Sequence, residues 1–497
     1  MIIKPSCFAV PLAVALFLAG AAHAKAPGGA ANEALTARHL ASLVAGAEPK
    51  MAELTLFFSQ MPKGADLHHH YSGSIYAEQY VQWLDQLNFC VDKQSYRIET
   101  KKEVVEAQRA KPLNERACLG SREVLADDAM YRELLQRWSS KDFDNHGAIQ
   151  PPPDRQFFQT FGYFGPVSNL NFAEGLQELK KRAVQENISY IETMFKMAPG
   201  VPNADFDAQM QQAGATDAQL AEAMRAWKAK LDQDPNVERN LKDFVAKIDL
   251  AAAGIDDERF TMRYQNYVVR LLAPSFVFSS MVSAFKAATL SPLIVGVNIV
   301  GQESNYVSMR DYALHMKMFQ FLKTQYPNVK LALHAGELAL GDVPPDGLRF
   351  HIEQALNVAG ASRIGHGIDL AHESNAAAIM KTMRERDIPV EVNLTSNSFI
   401  SGIRGENHPV TIYRKYGVPY VISTDDAGVT RHTLAQEYTL FASRYKPGYA
   451  EIKKASYNGI RYAFLDDANK KRLVKQLDER FAAFEAGIAA LGASAKR

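Results

Sequence analysis

Short runs of apolar, β-branched residues recur along the chain and alternate with longer segments whose apolar residues repeat every three or four positions. The short runs predict buried strands, and the longer segments predict amphipathic helices, as over Phe172 to Glu186, Met309 to Tyr326 and Asn375 to Arg386. The strands are predicted at Lys63 to Leu67, Ile188 to Phe195, Tyr267 to Leu272, Leu293 to Val300, Val329 to Leu333, Arg363 to Ile368, Val390 to Leu394 and Pro419 to Ser423. This α/β alternation indicates parallel βαβ units closed into a (β/α)8 TIM barrel.

Two gaps between predicted strands are too long for simple barrel loops. Gln79 to Gln156 carries many charges, two cysteines and a triple-proline breaker, and is interpreted as an insertion after the first strand. Pro202 to Glu258 is rich in Gln, Ala and Asp and predicts a helical excursion after the second strand. Beyond Arg431 the pattern predicts C-terminal helices over Leu434 to Tyr445, Tyr449 to Phe464 and Asp466 to Leu491.

The first residues have the pattern of a secretory signal. Lys4 precedes an apolar run from Phe8 to Leu18, and small residues then end at Ala22-His23-Ala24. The run is shorter than the roughly 20 residues that a membrane-spanning helix needs, so we expect cleavage after Ala24 and no stable membrane insertion. The expected organisation is a signal peptide at 1–24, an N-terminal arm or helix at 25–60 and the barrel domain at 61–497, with the protein exported to the periplasm or secreted.

Export changes the meaning of the two cysteines that remain after cleavage. Cys90 and Cys118 form an even pair in an oxidising compartment, which favours one disulfide. Two unrelated buried thiols remain the alternative, because sequence cannot show whether the Cα atoms come within reach. The overall charge is balanced, with 56 Lys and Arg against 55 Asp and Glu. Together with the lack of a basic stripe in the sequence, this argues against a nucleic acid polymer as a partner.

Polar clusters follow several of the predicted strands, where a (β/α)8 barrel carries its functional groups. They are Leu67-His68-His69-His70, His334-Ala335-Gly336-Glu337, Gly365-His366-Gly367, Asn397-Ser398 and Ser423-Thr424-Asp425-Asp426. In an extended strand residues two apart point to the same side, so His68 and His70 can face one ion while His69 turns away. With His334 and Asp425 they form a mixed nitrogen and oxygen set, which suits one Zn²⁺ with a position left for water.

Three further residues at the strand ends are candidates for proton transfer. Glu337 is a candidate proton donor, and His366 could orient or deprotonate a water molecule. Asp426 is expected on the opposite face of the strand terminus from Asp425, where it could alternatively cap a helix or brace the ligands. Isolated histidines such as His315, His351 and His372 are assigned no role.

The motifs together resemble the signature blocks of the adenosine deaminase family of metal-dependent hydrolases. The blocks are Met61-Pro62-Lys63 through His70, Gly301-Gln302-Glu303, His334 to Glu337, Arg363 to Gly367, Ser423 to Asp426 and Asn458 to Leu465. They occur in the family's order, from about Met61 to the C-terminal helices. The signal, the cysteine-bearing insertion and the Met-Pro-Lys-Gly start more closely resemble the family's secreted branch, the adenosine deaminase-related growth factors.

The resemblance implies a role for each matching residue. His68, His70, His334 and Asp425 would bind one catalytic zinc ion per chain. Glu337 would protonate the purine N1, His366 would position and activate the water, Asp426 would contact N7, and the backbone amide of Gly301 would meet N3. The implied reaction is the hydrolytic deamination of adenosine, and of 2′-deoxyadenosine, to the inosine product and ammonia. A homodimer is also implied.

One position departs from the family pattern. Ser72 stands where the family commonly has an aspartate that meets the ribose 5′-hydroxyl, and a serine is shorter and uncharged. The aromatic segment around Phe161 resembles the family's lid over the sugar, with core packing as the alternative. No Arg or Lys could be assigned to a phosphate pocket, so a free nucleoside is preferred over AMP.

Other functions remain open from the sequence. The substrate could be another 6-aminopurine nucleoside or nucleotide. An amidohydrolase acting on another C–N bond or on a lactone could use the same barrel and ion. A secreted binding or signalling module could retain the barrel while residues 79–156 engage a partner. Such a module would be recognised by the loss of some of the candidate catalytic or metal-binding residues.

Overall fold

The computed structural model describes residues 28–145 and 150–494. The predicted signal peptide therefore lies outside the described residues. Within the part of the chain that is described, no helix combines the length and apolar character needed to cross a bilayer.

Eight parallel strands form the centre of the molecule, and their order in the sheet follows their order in the sequence. They are β1 (Lys63–His70), β2 (Ile188–Met197), β3 (Thr261–Val269), β4 (Ile294–Val300), β5 (Lys330–Ala335), β6 (Arg363–His366), β7 (Val390–Val392) and β8 (Tyr420–Ile422). Just beyond β8, the backbone N of Asp425 donates to the carbonyl of His68 at 2.8 Å, and the N of His70 donates to the carbonyl of Asp425 at 3.1 Å. These bonds join the last strand end to β1, which confirms the predicted (β/α)8 barrel.

The prediction for the third strand was wrong in its position. The sequence pattern placed it at Tyr267 to Leu272, whereas β3 covers Thr261–Val269. The sequence pattern missed the first part of this strand because Gln265 and Asn266 are polar. Both are nevertheless buried in the structure. The side chain of Gln265 bonds to Glu192 of β2 and Asn298 of β4, so a polar residue occupies a position where an apolar one was sought.

Helices cover the outside of the barrel. Those that connect barrel strands after β2 are Ala204–Met210, Asp217–Gln233, Pro235–Ala251, Pro274–Leu290, Tyr306–Gln325, His351–Gln354, Ala376–Glu385, Leu394–Ile400 and Val410–Lys415. Within residues 28–145 and 150–494, two helices precede the barrel, Gly29–Val44 and Met51–Gln60, and four follow it, Ala427–Thr430, Leu434–Tyr445, Tyr449–Arg461 and Asp467–Ser494. The helix Gly29–Val44 packs against Asp467–Ser494 and against Tyr449–Arg461.

The chain between β1 and β2 forms a small module above the barrel. It contains helices Tyr71–Ser74, Ala77–Gln86, Lys102–Arg109, Ser121–Ala126, Asp128–Trp138, Pro153–Ser168 and Phe172–Gln185. A three-stranded antiparallel sheet places Cys90–Asp92 between Ile98–Glu99 and Cys118–Leu119. The structure pairs Cys90 with Cys118, whose Cα atoms lie 5.5 Å apart, within the range that a disulfide spans.

The helix Pro153–Ser168, called the lid helix below, connects this module to the mouth of the barrel. The module supports it through Arg97, which follows the central strand of the small sheet. Arg97 donates to the carbonyl of Gly162 at 3.0 Å, and its guanidinium lies over the ring of Tyr163. The other face of the lid helix carries aromatic side chains toward the barrel. The small sheet thus contacts the lid helix, whose other face lines the barrel mouth.

Candidate active site

A cavity of about 330 Å³ lies at the carboxyl ends of the barrel strands. It collects side chains from most strands and from the lid helix, as expected for a TIM barrel. Its lining residues are His70, Ser72, Phe157, Phe158, Phe161, Met194, Tyr267, Val269, Leu271, Val300, Gly301, Gln302, His334, Glu337, His366, Asp425 and Asp426. A larger groove of about 940 Å³, lined by Arg472 and Arg480, contains none of the predicted site residues.

The four predicted metal ligands converge at the base of this cavity. Nε2 of His70 lies 3.1 Å from Oδ1 of Asp425 and 3.2 Å from Nε2 of His334. Nε2 of His68 lies 3.4 Å from the same Asp425 oxygen. His366 instead faces the other oxygen, Oδ2, at 3.9 Å. The ligand atoms of His68, His334, His366 and Asp425 all lie within 4.8 Å of one another, and those of His70, Asp425 and Asp426 form a second group of the same kind. His366 is therefore as close to the cluster as the predicted ligands are.

Hydrogen bonds to the far ring nitrogens orient two of these histidines. Nδ1 of His68 donates to Glu391 at 2.7 Å, and Nδ1 of His334 donates to Oδ1 of Asn298 at 2.9 Å. With the ring proton on Nδ1, the lone pair of Nε2 is free in each ring. This arrangement is typical of metal-bound histidines. A Cβ on Gly365 would come within 2.8 Å of the His68 ring, so a residue larger than glycine would displace that ring.

The charges and protonation states of the His and Asp cluster favour the binding of a cation. Burial by itself would raise the pKa of Asp425, but hydrogen bonds with His68 and His70 outweigh it and hold that pKa well below its usual range. Burial lowers the pKa of His334 well below its usual value, which keeps this ring neutral and able to act as a ligand. Nε2 of His68 is buried and lies 3.4 Å from Oδ1 of Asp425. The residues present therefore fit a divalent metal ion of the kind that imidazole and carboxylate groups bind.

Glu337 lies just past the end of β5, and its backbone is held in place by Glu303. The carboxylate of Glu303 accepts the backbone N–H groups of Gly336 at 3.0 Å and Glu337 at 2.9 Å, and it contacts His351 and Arg270. Burial, reinforced by the charge of Asp425, raises the pKa of Glu337 well above its usual value. Glu337 is therefore held as a neutral acid that can donate a proton into the cavity.

Asp426 was predicted on the opposite face from Asp425, and the structure contradicts this. Both carboxylates line the same cavity, because Asp425 has a left-handed backbone with φ of 62° and the chain no longer alternates as a strand. Asp426 precedes a short helix but makes no side-chain cap bond to it. A Cβ on Gly73 would overlap the Asp426 carboxylate, so this glycine permits its close approach.

The remaining predicted residues surround the upper part of the cavity. Ser72 and Gly301 line it from the β1 and β4 sides, and Gly301 has a φ of 100° that favours glycine. Phe161 lines it from the lid helix, together with Phe157 and Phe158, so this aromatic segment faces the cavity as well as packing among itself. All residues predicted for the site therefore lie in or directly beside one cavity.

Sequence reasoning missed the residues that orient the ligands. Glu391 lies within the apolar strand Val390–Val392, and Asn298 lies within Ile294–Val300; both are fully buried. Glu303 was noted in a motif but given no role, and His351, which contacts Glu303, was set aside. The available signal was a single polar residue inside each apolar strand, because such a residue must find a partner in the barrel interior.

Comparison with known proteins agrees with this architecture. The family model of adenosine deaminase matches residues 241–480. The adenosine deaminase of Vibrio parahaemolyticus is 30% identical over 188 residues, covering 38% of this chain and 51% of that protein. The adenosine deaminase of Clostridium acetobutylicum is 30% identical over 187 residues, covering 37% and 51%. The chain thus spans about half the length of the curated relatives it matches.

Solved structures show the same fold. The apo N6-methyl-AMP deaminase from Arabidopsis thaliana matches with a TM-score of 0.53 at 17% identity, covering 86% of this chain and 98% of that one. An amidohydrolase from Burkholderia ambifaria with bound Zn matches with a TM-score of 0.50 at 16% identity, covering 88% and 94%. The motif blocks and the barrel agree with the match of this family model, and the chain is similar to the adenosine deaminase family over residues 241–480.

Proposed function

We propose that the protein hydrolyses the 6-amino group of a free purine nucleoside, with adenosine and 2′-deoxyadenosine as substrates and zinc as the metal. The observation that carries this proposal is the cavity itself. The proposal is supported by a space of about 330 Å³ beneath the aromatic segment of the lid helix, lined by Glu337, His366, Asp426 and the predicted ligands His70, His334 and Asp425. Burial raises the pKa of Glu337 well above its usual value, which favours a proton on this carboxyl group. That volume lies in the range of small-molecule sites.

His68, His70, His334 and Asp425 would hold the metal. The ion supplies a Lewis acid that makes water a stronger nucleophile at neutral pH. Glu337 donates its proton to N1 of the purine, which makes C6 electrophilic, while Asp426 orients the ring through N7. Oxygen from water then bonds to C6 and the bond from C6 to the amino nitrogen breaks. The two hydrogens of the water replace the Glu337 proton and complete the departing ammonia, so the acid is restored.

The charges near the cavity mouth favour a nucleoside over a nucleotide. Among the described residues that line the cavity, none is Lys or Arg. Gln302 lies at its rim, and the carboxylate of Asp154, in the first turn of the lid helix, is 3.5 Å from the Gln302 amide. A phosphate there would meet a carboxylate rather than a guanidinium, which is the group best suited to bind it.

A substrate series tests this proposal. Adenosine, 2′-deoxyadenosine, adenine, AMP and N6-methyladenosine are each followed by ultraviolet absorbance with the purified protein. We expect adenosine and 2′-deoxyadenosine to have the highest kcat/KM, with AMP at least about tenfold lower, equivalent to about 1.4 kcal/mol of lost transition-state binding. Preference for AMP would contradict the nucleoside assignment, and turnover of none of the five would contradict purine deamination.

We also propose that the protein is exported, with Cys90 and Cys118 forming a disulfide in the exported form. The proposal is supported by the signal-like first 24 residues and by the short distance between the two Cα atoms. The mass of the exported protein should match a chain beginning at Lys25, and a non-reducing peptide map should link the two cysteine peptides. An intracellular chain that retains Met1 and carries two free thiols would contradict both parts.

A further inference from the structure

His366 is connected through its Nδ1 atom to a chain of hydrogen bonds that the reaction scheme above does not use. Nδ1 of His366 lies 2.9 Å from Nδ2 of Asn397, and Oδ1 of Asn397 lies 3.0 Å from Nε2 of His408. Nδ1 of His408 lies 3.1 Å from the backbone N of Val410. All three side chains are fully buried, so water does not compete for these bonds.

The direction of every bond in this chain follows from its last member. A backbone N–H can only donate, so Nδ1 of His408 must be the acceptor for Val410, and the single proton of a neutral His408 ring is then on Nε2. Burial lowers the pKa of His408 to about 3, which keeps the ring neutral. Nε2 of His408 therefore donates to Oδ1 of Asn397. The amide nitrogen of Asn397 is left to donate to Nδ1 of His366.

Other groups near Nδ1 of His366 agree with this direction. The amide nitrogen of Asn393 lies 3.3 Å from the same atom, and a second donor can only face an unprotonated nitrogen. Oε1 of Glu337 is 3.5 Å away, at the limit of hydrogen bonding, and offers no strong competing acceptor. Nε2 of His366 is buried, has no hydrogen-bond partner among the described residues, and lies 3.9 Å from Oδ2 of Asp425.

We propose that Asn397 and His408 are positioning residues that keep the ring proton of His366 on Nε2. The meaning of this arrangement for catalysis rests on the proposed function. With the proton on Nε2, His366 faces the attacking water as a hydrogen-bond donor, so it holds the oxygen in place and does not take its proton. This differs from the base role that the sequence left open for His366.

The position of the ring proton can be measured without substrate. The purified protein is labelled with 15N in its histidine rings, and long-range 1H–15N correlations distinguish a protonated from an unprotonated ring nitrogen. The signals of His366 are those lost in His366→Gln. We expect Nδ1 of His366 to be unprotonated and Nε2 to carry the proton. The reverse pattern in the parent protein would overturn the proposal.

Two substitutions change the hydrogen-bond chain in opposite ways. In Asn397→Asp both oxygens accept, so the carboxylate should draw the His366 proton to Nδ1. His408→Gln retains an N–H donor toward Asn397 and should preserve the parent pattern, whereas His408→Leu removes it and should give a mixture. Thr411→Val is the matched control, because its hydroxyl donates to the His408 carbonyl at 3.2 Å, and losing this bond leaves the ring chain intact.

Kinetics then separate positioning from general damage. We expect Asn397→Asp to lower kcat by about 10²-fold while KM stays near the parent value, and His408→Gln to recover most of the activity that His408→Leu loses. An inverted His366 tautomer with unchanged kcat would overturn the positioning role. If the tautomer is as expected but no purine is deaminated, the hydrogen-bond chain stands and the proposed function fails.

Discussion

Glu337→Gln is expected to abolish nearly all turnover while the fold and the metal content stay intact. Glutamine has the same size and can keep the backbone bonds to Glu303, but it has no acidic proton to give to the purine. The loss should be about 10²–10⁴-fold in kcat, the usual contribution of a positioned general acid. It is measured as the absorbance change of adenosine at saturating concentration.

The matched control for this variant is Glu353→Gln. Its carboxylate lies beside the Asn375 amide on a helix outside the cavity, so the same side-chain replacement is made there and turnover should not respond. Parent-like turnover in Glu337→Gln would show that the acid is another residue. A metal content below that of the parent would show instead that Glu337 supports the ligand cluster.

Asp425→Asn is expected to remove both bound metal and activity. The substitution replaces the one carboxylate that three histidines share, and a neutral amide oxygen cannot balance a divalent ion in a buried site. The parent protein should contain about one zinc ion per chain, measured by elemental analysis after dialysis. The variant should contain far less and should lose more activity than the roughly 10–100-fold typical of an outer partner.

Glu391→Gln provides the graded comparison. Glu391 bonds to His68 from behind and does not lie among the groups that could touch the ion. We expect this variant to bind metal more weakly than the parent but more tightly than Asp425→Asn. If Asp425→Asn retained a full complement of metal, or if the parent bound two ions or none, the proposed ligand set would be wrong.

The eight-strand barrel and the grouping of polar residues at one end of it could be predicted because both follow simple rules. Apolar runs mark strands that are buried on both faces, and polar residues that follow such runs meet at one end of a parallel barrel. His68, His70, His334 and Asp425 come together for that reason. The third strand was misplaced because its inward side chain Gln265 belongs to a polar interior that pairs across β2 and β4.

The arrangement of the groups around the ligands could not be predicted from local pattern. Arg363 is fully buried and bonds to both Glu192 and Glu391, and each of these three residues is separated from the others by a long stretch of chain. His366 and Asp425 both adopt left-handed backbones, which side chains other than glycine rarely do. Such conformations are imposed by tertiary packing, so only the structure could show that Asp426 faces the cavity.

The barrel closes where residues beyond its eighth strand bond to its first, and the same few residues are the proposed metal ligands. His68 and His70 stand on one side of this seam and Asp425 on the other. A metal ion bound by all three residues would connect the two sides of this seam. Its binding free energy would then add to the free energy of unfolding of the barrel. Removal of the ion by a chelator should thus lower both the thermal midpoint of unfolding and the turnover rate. Thermal stability and activity would then depend on the same bound ion.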